Sequence, residues 1–293
     1  AISRGLLAEL LAADGQFETA FEHSDLAIVG VQSLGSVTAQ VACSLQRAAV
    51  AELRGDGKEV LSPLLAEAFG YARRHGHWAY GGLYPATLAR LCWRALELGI
   101  EVAFACELIR RRQLAPPSMA ISSHAWPWAL KLFSFGGLRI VRGESELIFD
   151  SKAQRRPLEL LKGILALGGQ HVADTQLIEW LWPGAEGDAG QRALITTLYR
   201  LREMLGLKQA ITHSGGRLSL NAHLCWFDGW ALGACLDSGR IEEGYTLYEG
   251  DFLSAEPDPW CDGNRCCRPR RAPPRGHGDA RIATCSTTHR STR

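Results

Sequence analysis

The chain has 293 residues, 46% hydrophobic and 22% charged, with a formal net charge of +1. That length and balance fit two or three globular domains, each with its own core. They exclude a generally basic coat, so any nucleic-acid site must be a local patch. No stretch approaches the roughly 18 uncharged apolar residues that span a bilayer, so no membrane partner is expected. Arg4, Glu9 and Asp14 break the basic, apolar, small-residue order of a secretion signal. The absence of an initiator Met fits a piece of a longer protein. The 9 Cys are an odd number, and Cys43, Cys92, Cys106, Cys225 and Cys235 stand alone in apolar settings. Such thiols behave as small hydrophobes in a reducing cytoplasm rather than as a disulfide framework.

Residues 1–113 predict helices throughout. Leu6, Leu7, Leu10 and Leu11 make one apolar face before the turn at Asp14-Gly15, and Phe17, Ala20, Phe21 and Ala27 make the next. Gly35-Ser36, Gly55-Asp56-Gly57 and His75-Gly76 punctuate three further helical stretches. Apolar positions recur at three and four: Leu45, Ala48 and Ala49; Leu61, Leu64 and Leu65; Leu88, Leu91 and Ala95. Stacked hairpins of the tetratricopeptide kind and an irregular helical bundle both satisfy this pattern. Arg110, Arg111 and Arg112 end the last helix, where cations suit the negative end of the dipole. Leu114 to Trp126, with Pro116, Pro117, Ser118, Ser122 and Ser123, has the composition of a linker.

From Trp128 to Trp230 the predicted elements change. Two short β segments come first (Leu130–Ile140 and Leu147–Phe149), then an apolar helix over Arg156–Leu167. A second short helix stops at Leu181-Trp182-Pro183, and a basic amphipathic helix covers Asp188–Leu205. Asp188 and Gln191 have the spacing of a capping box. Leu194, Leu198, Leu201 and Leu205 form its inner stripe. The opposite surface is expected to carry Gln191, Arg192, Thr196, Thr197, Tyr199, Arg200 and Glu203. Arginine reads guanine edges or clamps phosphate, and a Thr methyl meets a thymine methyl. A Gly-rich hairpin over Ile211–Leu220 then places Arg217 near its tip, as a wing reaching a minor groove or backbone would. Lys152, Gln154, Arg155 and Arg156 crowd the start of the first of these helices, where N–H groups already favour phosphate.

Beyond Asp228 the pattern is helical again, through Leu232, Cys235, Leu236, Ile241, Tyr245 and Leu247 as far as Trp260. The last 33 residues (261–293) hold eight Arg, no Lys and, in Ile282, one aliphatic side chain larger than Ala. Such a segment cannot offset its ordering entropy and is expected to be disordered. Its Arg, Pro, Cys and Thr bias fits GC-rich coding DNA read out of frame from near Cys261.

These residues resemble the OmpR/PhoB-type winged helix, in the version fused to a bacterial transcriptional activator domain. The matching runs are Ser151-Lys-Ala-Gln-Arg-Arg-Pro-Leu-Glu-Leu-Leu161, Leu181-Trp-Pro183, Leu198-Tyr-Arg-Leu-Arg202 and Gly216-Arg-Leu218. Leu247-Tyr-Glu-Gly-Asp-Phe-Leu253, followed by Asp258-Pro-Trp260, looks like the opening of the activator domain. Leu91–Ile100 and Leu108–Arg112 are similar to the helical-repeat region of large MalT-like regulators.

The resemblance implies a mainly α fold with a small β component. Helical repeats occupy 1–113, a linker 114–127, a winged helix 128–228 and a partial activator domain 229–260. It implies a sequence-specific transcriptional regulator on promoter DNA in the cytoplasm, with RNA polymerase and a second copy as further partners. Arg192, Thr196, Thr197 and Arg200 would read the major groove, Arg217 would sit on the wing and Arg202 would contact phosphate. Trp182 has two readings, against DNA backbone or polymerase and as a core aromatic.

No His-Glu-x-x-His, Gly-x-Ser-x-Gly or G-x-x-x-x-G-K-[ST] pattern occurs, so neither enzymatic activity nor a cofactor is expected. Cys261, Cys266 and Cys267 lack the spaced partners of a zinc knuckle. The alternative function is a helical-repeat scaffold whose winged helix docks protein rather than DNA.

Overall fold

In a computed structural model the chain is described over residues 1–32, 34–78, 82–149, 154–185 and 187–254. Among these the protein is mainly helical with a small sheet component. No helix is long and apolar enough to cross a membrane. Lys152, Asp258-Pro-Trp260 and the Arg-rich segment 261–293 lie outside the described residues.

Six helices fill the first part: α1 (Ile2–Ala13), α2 (Phe17–Gln32), α3 (Val37–Arg54), α4 (Lys58–Arg74), α5 (Pro85–Glu97) and α6 (Val102–Arg112). The expected turns separate them. Ser36 caps α3 by accepting a hydrogen bond from the Ala39 N–H, and Gly55 ends it in the left-handed conformation (φ 83°) that a C-cap favours. The apolar spacings at Leu45/Ala48/Ala49, Leu61/Leu65 and Leu88/Leu91/Ala95 all point into one core.

On α1 the expectation fails. Gly5, Ala8 and Ala12 face α2 and α3, while Leu10 is 57% exposed and Leu7 is also exposed. Small side chains allow the close helix approach. A Cβ on Gly5 would collide with the Gln46 amide of α3, so the smaller stripe wins over the bulkier one. At the far end of the region, Arg111 lies over the Trp78 ring (4.3 Å) and pairs with Glu107.

The 114–127 stretch is not a free linker. Leu114, Ala120, Ser122 and Trp126 are buried, and Ser118–Ser122 forms a 3-10 turn against a later helix. A four-stranded sheet follows, built from β1 (Leu130–Phe133), β2 (Arg139–Arg142), β3 (Ser145–Glu146) and β7 (Cys225–Phe227) in the order β3-β2-β1-β7. Leu147–Phe149, expected to extend it, is not a strand.

Between β3 and β7 lie α7 (Arg155–Ala166), β4 (Val172–Ala173), α8 (Asp174–Leu181), α9 (Gly187–Leu205), β5 (Ile211–Ser214) and β6 (Arg217–Leu220). β4, β6 and β5 form a second, antiparallel sheet in that order. The β5–β6 hairpin closes through Gly215-Gly216, both at positive φ (58° and 68°). A two-residue loop of the type that matches strand twist needs that conformation at both positions. Two helices complete the described chain, α10 (Asp228–Asp237) and α11 (Ile241–Leu247). The helical pattern expected to reach Trp260 stops at Leu247. From there the chain turns back, and the Leu253 N–H donates to the Ser134 carbonyl (2.8 Å).

The four-stranded sheet is a wall between two cores. Side chains alternate across a strand, so Cys225 and Phe227 join Leu130, Leu132, Leu160, Leu198 and Leu218 on one side. Trp226 faces the other way, into the core built by α3–α6, Trp126, Trp128 and Ala231. The α1–α6 region and the part after residue 128 therefore share packing through β7, which segment composition alone does not reveal.

Candidate nucleic-acid interface

α9 positions the candidate site. Leu194, Leu198, Leu201 and Leu205 are buried against α7 and α8, as their spacing requires. Arg142 donates to the Leu205 carbonyl (3.3 Å) at the helix end, where a cation also suits the dipole. Arg156 donates to the last carbonyl of α8, that of Leu181 (3.1 Å), and so ties α7 to the turn before α9. Pro183 cannot continue α8, and the chain re-enters helix at Gly187.

The exposed stripe of α9 is Arg192, Ile195, Thr196, Tyr199, Arg200 and Glu203. Glu203 pairs with Lys208 (3.5 Å). The side chains of Arg192 and Arg200 make no hydrogen bond or ion pair to any described residue, so toward those residues both guanidinium forks are open. Sequence reasoning missed Ile195 because it reads as a helix-interior apolar residue. Only its phase relative to the leucine stripe could have placed it outside.

Three expected positions are corrected, and a fourth, Arg155, stays exposed at the start of α7 but is paired. Thr197 is 7% exposed, and its hydroxyl donates to the Ala193 carbonyl (2.7 Å), so it faces the core side rather than the open face. Arg202 donates from Nε and Nη2 to the Ile211 carbonyl (3.1 and 2.7 Å) and braces α9 against β5 instead of reaching outward. Gln191 does not close a capping box. It donates to Asp174 of α8 (3.1 Å), whose other partner is His213 of β5 (2.8 Å). That buried carboxylate fixes α8, α9 and the hairpin relative to one another. Arg155 pairs with Glu159 (2.9 Å), which it shares with Arg156 (2.8 Å). One carboxylate between two guanidiniums leaves local positive charge but not two open forks.

Arg217 stands at the hairpin as expected, exposed, with one nitrogen donating to the His171 carbonyl (2.9 Å). Thr196 is exposed between the two open arginines. Trp182 is half-buried against the second core, in keeping with its core-aromatic reading. Lys152 lies outside the described residues. The structure thus keeps Arg192, Thr196 and Arg200 on one open face, with Arg217 on the exposed hairpin, and turns Thr197 and Arg202 inward.

Burial pushes the Cys225 thiol up to about 12 and also raises Cys92, which holds both as unreactive thiols. Among the described residues no three His, Cys, Asp or Glu side chains gather where they could hold a metal. No protein-family model matches the chain, and no curated protein matches it.

Proposed function

We propose that this chain is a sequence-specific DNA-binding transcriptional regulator of the OmpR/PhoB winged-helix type, working in the bacterial cytoplasm on the nucleoid. α9 would enter the major groove and the β5–β6 hairpin would rest on the minor groove or backbone. In this reading residues 128–228 are the winged helix, α1–α6 are tetratricopeptide-like hairpins that couple to a signal, and α10–α11 open a helical activator domain. RNA polymerase and a second copy of the chain are its protein partners. The observation that carries the proposal is the open face of α9, where Arg192 and Arg200 are exposed with no ion pair to a described residue, beside a tight hairpin bearing Arg217. Opposite charges at helical spacing can neutralise one another. Asp188 lies four residues before Arg192 and Glu203 three residues after Arg200, yet neither forms an ion pair with the arginine, and Glu203 is met by Lys208 (3.5 Å).

The test is a titration of duplex DNA with the full chain at several salt concentrations. Affinity is expected to fall linearly on a log–log plot as salt rises, in proportion to the phosphates neutralised. Arg192→Ala and Arg200→Ala should each weaken binding to a preferred duplex by about 1–3 kcal/mol with the circular dichroism unchanged. Thr197→Val provides the contrast. Its hydroxyl is satisfied inside the helix, so DNA affinity should not move and stability should change by less than about 1 kcal/mol. A folded chain with no DNA affinity at low salt would overturn the proposal and shift the function to α1–α6 as a protein-interaction scaffold.

A further inference from the structure

The open face of α9 is not purely polar. Ile195 is 50% exposed and Tyr199 is 60% exposed, one helical turn apart. Arg192 precedes the pair by one turn and Arg200 follows it directly. The fold does not need Ile195 here, because Leu194, Leu198, Leu201 and Leu205 already fill the inner stripe. An exposed β-branched side chain also gives helix propensity away relative to Ala, Lys or Glu.

We propose that Ile195, with Tyr199 beside it, determines sequence specificity by packing on the 5-methyl group of thymine. The inference rests on the DNA-binding reading above. In the major groove the thymine methyl is the one apolar group among hydrogen-bonding edges, and it distinguishes T·A from every other pair. Two flanking guanidiniums bring the helix to the phosphates and to guanine edges. An aliphatic group held between them then meets either a methyl or a desolvated polar edge, and only the first is favourable. The preferred duplex should therefore place a thymine under the middle of α9, within a base or two of the groups that Arg192 and Arg200 contact.

The experiment selects duplexes from a randomised library with the full chain, then replaces each thymine of the recovered site by deoxyuridine, which removes only the methyl. At one or two positions the unsubstituted protein should lose about fourfold in affinity, which corresponds to one buried methyl at ~0.8 kcal/mol. Ile195→Ala should bind the thymine duplex about as weakly as the original protein binds the uracil duplex, and should not distinguish the two. Equal affinity of the unsubstituted protein for thymine and uracil duplexes would overturn the inference, even where Arg200→Ala still weakens binding. So would a uracil penalty that Ile195→Ala retains in full. Failure of the library to yield any bound duplex would instead sink the DNA-binding reading, and this inference with it.

Discussion

Replacing Trp226 by Ala is expected to destabilise the protein by about 3–5 kcal/mol, the range for truncating a large buried aromatic. Trp226 is 1% exposed at the centre of β7. Its ring meets Phe133 of β1 edge-on (centroids 5.1 Å apart) and His124 (5.8 Å). Its indole N–H donates to the Ile121 carbonyl in the stretch that composition marks as a linker (3.0 Å). Truncation removes that contact area and leaves the Ile121 carbonyl without its donor, which adds to the loss. Because Trp226 stands on the α3–α6 side of the sheet while Cys225 and Phe227 stand on the other, the variant should also uncouple the two cores. Chemical denaturation of the full chain measures both effects, as a lower midpoint and as a transition that broadens or splits. A loss below about 1 kcal/mol with a single unchanged transition would mean that β7 does not join the two cores.

Asp228→Ala is expected to destabilise by about 2–5 kcal/mol, and Asp228→Asn by much less. Asp228 is buried at the start of α10, and its carboxylate accepts from the N–H groups of Ser134 and Phe135 and from the Ser134 hydroxyl (2.6 Å). Those groups lie just beyond the end of β1, so one side chain fastens that end of the sheet to the helix that follows β7. Alanine leaves two backbone donors buried with no acceptor. Asparagine keeps a carbonyl for the two N–H groups and offers its amide to the Ser134 oxygen, which can turn from donor to acceptor. The pH dependence separates the two variants further. Burial pushes the Asp228 carboxyl above its ordinary value, and the hydrogen bonds from Ser134, Phe135 and Gly229 pull it only part of the way back. A folded-state pKa raised above the unfolded one gives stability that is fully present below the unfolded value. That stability is lost as pH rises through the folded value. The unsubstituted protein should therefore lose stability relative to Asp228→Asn as pH climbs from the ordinary carboxylate range through the raised pKa of Asp228, and run parallel to it above. Denaturation curves of both proteins across that window decide it. A difference that does not vary with pH would show that Asp228 keeps its unfolded pKa.

Much of the local structure was legible before any coordinates. The helices over 155–166 and 187–205 and the hairpin over 211–220 fall within a residue or two of their expected bounds, and the helix over 174–181 ends at its expected stop. Each announces itself through a local rule: leucines three and four apart, Trp182-Pro183 as a stop, and paired glycines where both loop residues need positive φ. Arg192, Thr196 and Arg200 also came out on the open face of α9, because helical phase follows from the leucine stripe. Thr197 and Gln191 did not. Both sit at the border of the buried arc, where a few tens of degrees of helix rotation against α8 decide between core and solvent.

What the sequence determined by itself is therefore the order of the three helices and the hairpin between residues 155 and 220, and the existence of one helix with a leucine face and an arginine-bearing face. These depend on interactions within about one or two helical turns, which the chain spells out. Tertiary structure alone decided the rest. It chose the glycine and alanine stripe of α1 over the leucines, since only close contact with Gln46 of α3 makes the small side chains favourable. It bent Arg202 onto the Ile211 carbonyl and joined Asp174 to both Gln191 and His213. It turned a Pro- and Ser-rich stretch into packed core, because Trp126, Trp128 and Trp226 meet there from positions about a hundred residues apart in sequence. Contacts of that range leave no periodicity in the chain, and it is they that set which arginines remain free on the outer face of α9.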